Sequence, residues 1–101
     1  MKIKISDDAE LDLVDGYWFY ENQDGGLGER FRDSIKSDIR SLKMDGGTHA
    51  KKHGYHRKVC QKFPFCVFYR MESDSLLIVI AVFHQRRGKK WIANRLGKRS
   101  G

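Results

Sequence analysis

The residues in this chain best suited to chemistry gather where its longest apolar run stops. Leu76 to Phe83 contains no polar side chain, and the next four residues are His84, Gln85, Arg86 and Arg87. A histidine is the one side chain whose ordinary pKa lets it give and take protons near neutrality, and guanidinium groups hold phosphate oxygens through paired hydrogen bonds. Arg57 and Arg70 on neighbouring segments would complete a cleavage constellation for RNA. In such a site a base removes a 2′-hydroxyl proton, cations hold the developing charge on phosphorus, and an acid protonates the leaving oxygen. His84, Arg87, Arg57 and Arg70 are therefore the candidate catalytic residues. Lys51, Lys52, His56, Lys58, Arg86 and Trp91 are candidates for binding a partner or target. The same groups also suit binding without catalysis, and charge alone does not separate the two.

Other chemistries are excluded by motif. Gly25, Gly26 and Gly28 do not follow a strand and lack the lysine and hydroxyl of a phosphate loop, no cysteine–histidine spacing suits zinc, and Gly-x-Ser-x-Gly is missing. Neither a metal nor a cofactor is expected. Cys60 and Cys66 are the only cysteines, and without a secretory leader they read as reduced strand residues rather than a disulfide or a metal pair.

Charge divides the chain. Residues 1 to 45 hold seven Lys/Arg against eleven Asp/Glu, a balance of −4, while residues 46 to 101 hold thirteen against two, a balance of +11, within a net charge of +7. The basic half would attract polyanions or an acidic protein segment. At 101 residues the chain has the length of one domain, residues 1–101, with a frayed tail expected from about residue 97. The longest apolar run is of strand length and far short of a membrane span, so a cytoplasmic protein with no membrane association is expected.

The elements that must position these residues follow from periodicity. Lys2 to Ser6 alternates as a short half-buried strand, and Ser6-Asp7-Asp8 then caps a helix expected over Asp7 to Asn22. That helix has two apolar faces, Ala9, Leu13, Tyr17 and Tyr20 on one and Leu11, Val14 and Trp18 on the other. One face can pack on a sheet, so the second needs another helix or another chain. After Asp24-Gly25-Gly26 a second helix is expected over Leu27 to Met44, with a stripe of Leu27, Phe31, Ile35, Ile39 and Leu42. Thr48 to His53 reads as a loop, and Gly54 to Cys60 as a strand with one wet, basic face, Tyr55, Arg57 and Val59 lying on one side and His56, Lys58 and Cys60 on the other. Phe65 to Met71 and Leu76 to His84 form a hairpin around a turn at residues 72 to 75, which puts His84 on the face of Ile78, Ile80 and Val82. The last segment, from Gln85, is a short helix or an extra strand. The fold class is α+β: β-α-α-β-β-β, an antiparallel helical hairpin on one face of a mainly antiparallel sheet, with the first strand beside the last.

Phe63-Pro64-Phe65-Cys66-Val67-Phe68-Tyr69-Arg70 together with Val82-Phe83-His84-Gln85-Arg86-Arg87 resembles the ParE branch of the RelE/ParE toxins of bacterial type II toxin-antitoxin systems. The resemblance covers roughly residues 2 to 91, with Phe65 where the family often has tyrosine. It implies a toxin that poisons DNA gyrase by binding it, neutralised by a cognate acidic antitoxin that folds onto surfaces including Leu11, Val14 and Trp18. The chain would act as a homodimer or within a toxin-antitoxin hetero-oligomer. The alternative implied by the RelE branch is a ribosome-dependent endoribonuclease acting on messenger RNA. A third reading, a basic nucleic-acid-binding domain without toxicity, explains the charge but not the paired motifs.

Overall fold

A computed structural model describes residues 1–99 of the chain. The elements run β1 (Lys2–Ile5), α1 (Asp7–Glu21), α2 (Leu27–Arg40), α3 (Leu42–Asp45), β2 (Lys51–Lys52), β3 (Tyr55–Val59), β4 (Phe65–Ser73), β5 (Leu76–His84) and α4 (Lys89–Gly97). The five strands are ordered β1-β5-β4-β3-β2. All neighbours are antiparallel except β1 and β5, which run parallel because the helical hairpin carries the chain back over the sheet. The α+β architecture expected from periodicity is thus present, with the first strand beside the last.

The hairpin forms for local reasons. The Ser6 hydroxyl accepts the Ala9 N–H at 3.1 Å, and Asp7, Asp8 and Glu10 sit in the first turn, where the helix dipole favours them. The N-cap of α2 is Gly26, at φ 91°, which has no side chain to offer. Glu21 at the end of α1 supplies the missing acceptor, taking the N–H groups of Gly26 and Gly28 at 3.0 Å. Two glycines let the helices close. A Cβ on Gly16 would lie 2.5 Å from the Phe31 ring, and one on Gly28 would lie 2.7 Å from the Tyr17 carbonyl.

The hairpin covers one face of the sheet, where Ala9, Leu13, Phe31, Ile35, Ile39 and Leu42 pack on Phe65, Val67, Tyr69, Leu77, Val79 and Val82. On the other face Cys66, Phe68, Ile78, Ile80, Ala81 and Phe83 lie under Leu96, with Trp91 and Ile92 at the margin. β5 is therefore covered on both sides, as its unbroken apolar run requires. Among the described residues no helix is long and apolar enough to cross a membrane.

Several details depart from expectation. The second helix ends at Arg40 rather than Met44, where the Ser41 hydroxyl turns back to the Asp38 carbonyl at 2.7 Å and α3 starts as a separate turn. Lys51 and Lys52, expected in a loop, pair with His56 and Tyr55. The turn expected at residues 72 to 75 is shorter, because β4 runs to Ser73. Lys58 on β3, a candidate for binding a partner, is only 8 % exposed, while Val59 is 49 % exposed. The tail is anchored as far as Arg99, and the expectation for Ser100 and Gly101 lies outside the described residues.

The largest departure is a bulge in β5. Phe68 pairs with Ala81 but Tyr69 pairs with Val79, so Ile80 is an extra residue and the alternation of faces resets around it. Val82, and His84 two residues on, therefore lie on the hairpin face, not on the face of Ile78 and Ile80.

Candidate functional site

His84 closes β5 opposite Phe65, and the two rings meet edge to face at 5.2 Å. Its Nδ1 accepts the Arg86 N–H at 3.0 Å, so the neutral ring carries its proton on Nε2. Burial, then the charges of Arg86 and Arg87, push its pKa down. The imidazole is thus neutral near pH 7. Beyond it α4 presents an aromatic and cationic shelf. Trp91 packs edge-on to Phe83 at 4.8 Å, with the guanidinium of Arg87 4.3 Å and that of Arg95 4.9 Å from its ring centre.

The other two candidate catalytic residues do not join His84. Arg57 pairs with Phe68 and Arg70 with Ile78, which puts both arginines on the sheet face that α4 partly covers. His84 is on the opposite face. Arg70 also donates from Nε to Glu72 at 2.9 Å.

The lysine and histidine candidates scatter too. Lys51 and Lys52 are exposed on the two-residue edge strand. His56 stacks on Tyr69, ring centres 5.0 Å apart at 22°, and its Nδ1 lies 2.6 Å from the His49 carbonyl. Lys58 turns inward, donating to the Ser41 hydroxyl at 2.7 Å and lying 3.6 Å from an Asp45 carboxylate oxygen. The Lys58 charge is thereby spent on structure. Leu11, Val14 and Trp18 do form an outward stripe on α1, 61 %, 49 % and 54 % exposed, and Phe19 beside them is 57 % exposed. Phe19 was legible as a second aromatic after Trp18, but its helical angle falls off the stripe, toward β5.

Two side-chain networks carried no sequence signal. In the first, buried Tyr69 accepts the Gly47 N–H at 2.9 Å and its own hydroxyl meets His49 Nδ1 at 2.5 Å. His49 Nε2 faces Asp45 at 3.6 Å. Burial lowers the His49 pKa, reinforced by Lys58 and His56 and opposed by Asp45, while burial raises that of Tyr69. These directions suit a neutral histidine that accepts from the phenol, with its Nε2 turned toward the carboxylate. Asp45 Oδ1 is buried and, among the described residues, meets no hydrogen-bond donor.

The second network closes the outer edge of β5. β1 reaches only Val79, and past that point Asp12 on α1 accepts the Val82 N–H at 2.9 Å. Arg99, just past α4, grips the same carboxylate with two nitrogens at 2.6 and 2.9 Å, donates to the Ile80 carbonyl at 3.2 Å and stacks on Phe83. The partners respond differently: burial raises the Asp12 pKa against the pull of Arg99 and Val82, whereas the contact with Asp12 outweighs burial and raises that of Arg99. Between α1, the end of β5 and α4 lies a cleft of about 530 Å³, floored by Gly16, Phe65 and Val82 and rimmed by His84, Arg86 and Arg87.

Cys60 and Cys66 are free and buried on opposite faces of the sheet. Among the described residues no three His, Cys, Asp or Glu side chains gather as metal ligands.

Comparison with known proteins agrees with this architecture. A family model described as the ParE toxin of the type II toxin-antitoxin system, parDE, matches residues 3–88. A solved chain titled "Chromosomal ParDE TA system from P. aeruginosa" superposes with a TM-score of 0.74 at 16 % identity, covering 83 % of this chain and 95 % of that one. At that identity the likeness is one of fold. No curated protein sequence matches.

Proposed function

From the premise that this chain belongs to the ParE toxin family of type II toxin-antitoxin systems, we propose that it arrests growth in the cytoplasm by binding and poisoning DNA gyrase, and that it cuts no RNA. One observation carries the choice between binding and cleavage. The bulge at Ile80 turns His84 away from Arg57 and Arg70, so the acid, base and phosphate clamp that RNA cleavage requires do not face one scissile group. What remains solvent-facing suits contact: the Trp91 shelf with Arg87 and Arg95, continuous with Arg86. Tryptophan and arginine are the residues that most often dominate protein interfaces.

In this reading a cognate antitoxin folds onto the toxin and uses Leu11, Val14 and Trp18 as a helix-in-groove contact. That stripe is the exposed apolar surface of the hairpin, and contiguous exposed apolar area marks interaction sites. The antitoxin's acidic segments would meet the basic half of the chain instead, since the stripe is flanked by Asp8, Glu10 and Asp15.

The test is a supercoiling assay with purified gyrase, run beside a cell-free translation reaction. Inhibited supercoiling with translation intact is the expected result, and replacing Trp91 by Ala should weaken inhibition by about thirtyfold or more, as for an interface hot spot. Arrested translation with cut messenger and untouched gyrase would overturn the proposal in favour of the ribonuclease.

A further inference from the structure

The outer edge of β5 is left without a strand partner past Val79, where the pairing with β1 ends. Along β5 the backbone groups of alternate residues point to alternate sides. The Val82 N–H meets Asp12 on the outer side, while the Gln85 N–H reaches the Pro64 carbonyl on the β4 side. The Val82 carbonyl and the His84 N–H must therefore point outward with the Val82 N–H. Among the described residues nothing meets either group beyond the last residue of β1. A carbonyl and an N–H on residues i and i+2 are the two contacts that one residue of a parallel strand makes. β1 already runs parallel to β5 on this track, from Lys2 opposite Leu76 to Ile5 opposite Val79.

The surroundings specify what that residue and its neighbours should be. A residue bridging opposite Phe83 projects its side chain to the α4 side, toward Trp91, Arg87 and Arg95. Its neighbours in sequence project to the hairpin side, over Gly16, Phe19 and Phe65, where the exposed carboxylate of Asp15 disfavours a second acid. Asp12 is already neutralised by Arg99. Arg86 and Arg87 at the mouth extend the positive field beyond the edge.

We propose that the Val82–His84 edge captures an extended acidic segment of a partner protein as a short parallel strand. Its pattern is apolar, acidic, apolar, acidic, with the first acid bridging Val82 and His84. This contact is separate from the Leu11, Val14 and Trp18 stripe, none of which lines the cleft, and it does not depend on whether gyrase is the target. Backbone pairing gives affinity here and the alternating side chains give selectivity, the usual division in strand addition.

The probe is an acetylated and amidated tetrapeptide of valine, glutamate, phenylalanine and glutamate, titrated into the isotopically labelled full chain and followed by NMR. The His84 amide and the Trp91 indole should shift, and exchange of the His84 amide should slow by about tenfold at saturation. N-methylation of the first glutamate removes the N–H destined for the Val82 carbonyl, and lysines in place of both glutamates reverse the charge. Each change should weaken binding by about tenfold, the worth of one net hydrogen bond or charge contact. His84→Ala keeps the backbone N–H and should bind normally, while His84→Pro removes it and should not. Equal affinity for the N-methylated peptide, shifts at the outer edges of β1 or β2 instead, or no shift at millimolar peptide would each overturn the proposal.

Discussion

Replacing Arg99 by Ala should be among the most damaging single changes in this chain, and more damaging than replacing its partner. Arg99 makes two contacts to Asp12 and one to the Ile80 carbonyl, and its side chain and that of Asp12 are 10 % and 11 % exposed. Removing the guanidinium leaves a carboxylate held against the β5 edge by α1 with no countercharge, a situation that costs about 3–5 kcal/mol. Asp12→Ala is milder, at about 1–3 kcal/mol, because Arg99 lies past the end of α4 on a long side chain that can turn to water. That change leaves only the Val82 N–H unmet. The double variant should fall short of the sum by about 2 kcal/mol, since the second deletion removes a group the first has already orphaned. Urea unfolding followed by tryptophan fluorescence gives the three values. Against a total of about 5–15 kcal/mol, the Arg99→Ala loss should leave a folded but visibly weakened protein. Acid adds an independent check. The Asp12 pKa is raised above its ordinary 3.8 in the fold, so its protonated form favours the folded state and that contribution is lost as pH rises through the folded value. Without Arg99 the value rises further, so the stability gap between Arg99→Ala and the unsubstituted chain should narrow as pH falls toward 4. Additive losses, an Asp12→Ala cost larger than that of Arg99→Ala, or a gap that widens in acid would refute this account of the edge.

Tyr69→Phe should cost about 1–3 kcal/mol by orphaning the Gly47 N–H, and hydrogen exchange at Gly47 should accelerate while the β4–β5 ladder stays protected. His49 and His84 both have pKa values lowered by burial, so the unfolded chain binds protons before the folded one and stability should decline as pH drops below about 6.5. Titration of their ring resonances checks this: midpoints above that of a free histidine would contradict the buried, neutral assignments.

Much of the architecture was readable because it is encoded locally. Ser6 before three acids, the stripe of Phe31, Ile35 and Ile39, and the turn residues between β4 and β5 each specify an element within a few positions. What could not be read depends on partners far along the chain. Asp12 and Arg99 are 87 residues apart, and nothing around either marks it as anything but a solvated helix acid and a tail cation. Lys58 looks like one more basic surface residue, yet Ser41 and Asp45 draw it under α3. The α2 stripe continues unbroken through Leu42, so periodicity gave no reason to end the helix at Arg40.

The bulge at Ile80 shows the same limit where it matters most to function. A strand with alternating polar and apolar residues announces a bulge by breaking its pattern, but Leu76 to Phe83 is apolar throughout, so an extra residue leaves no trace in the sequence. The sheet nevertheless needs it. With Ile80 inserted, Ile80 and Ala81 both enter the core under α4, and Val82 is delivered to the hairpin face beside Phe65 and Val67. Straight alternation would have carried His84 to the face of Arg57 and Arg70 only if it had left Val82 there as well, which is the arrangement expected from the sequence. One unpaired residue therefore separates a surface that collects imidazole and guanidinium groups from one that divides them. The side on which His84 emerges follows from the packing of its apolar neighbours, and the case for a binding toxin rests on that packing.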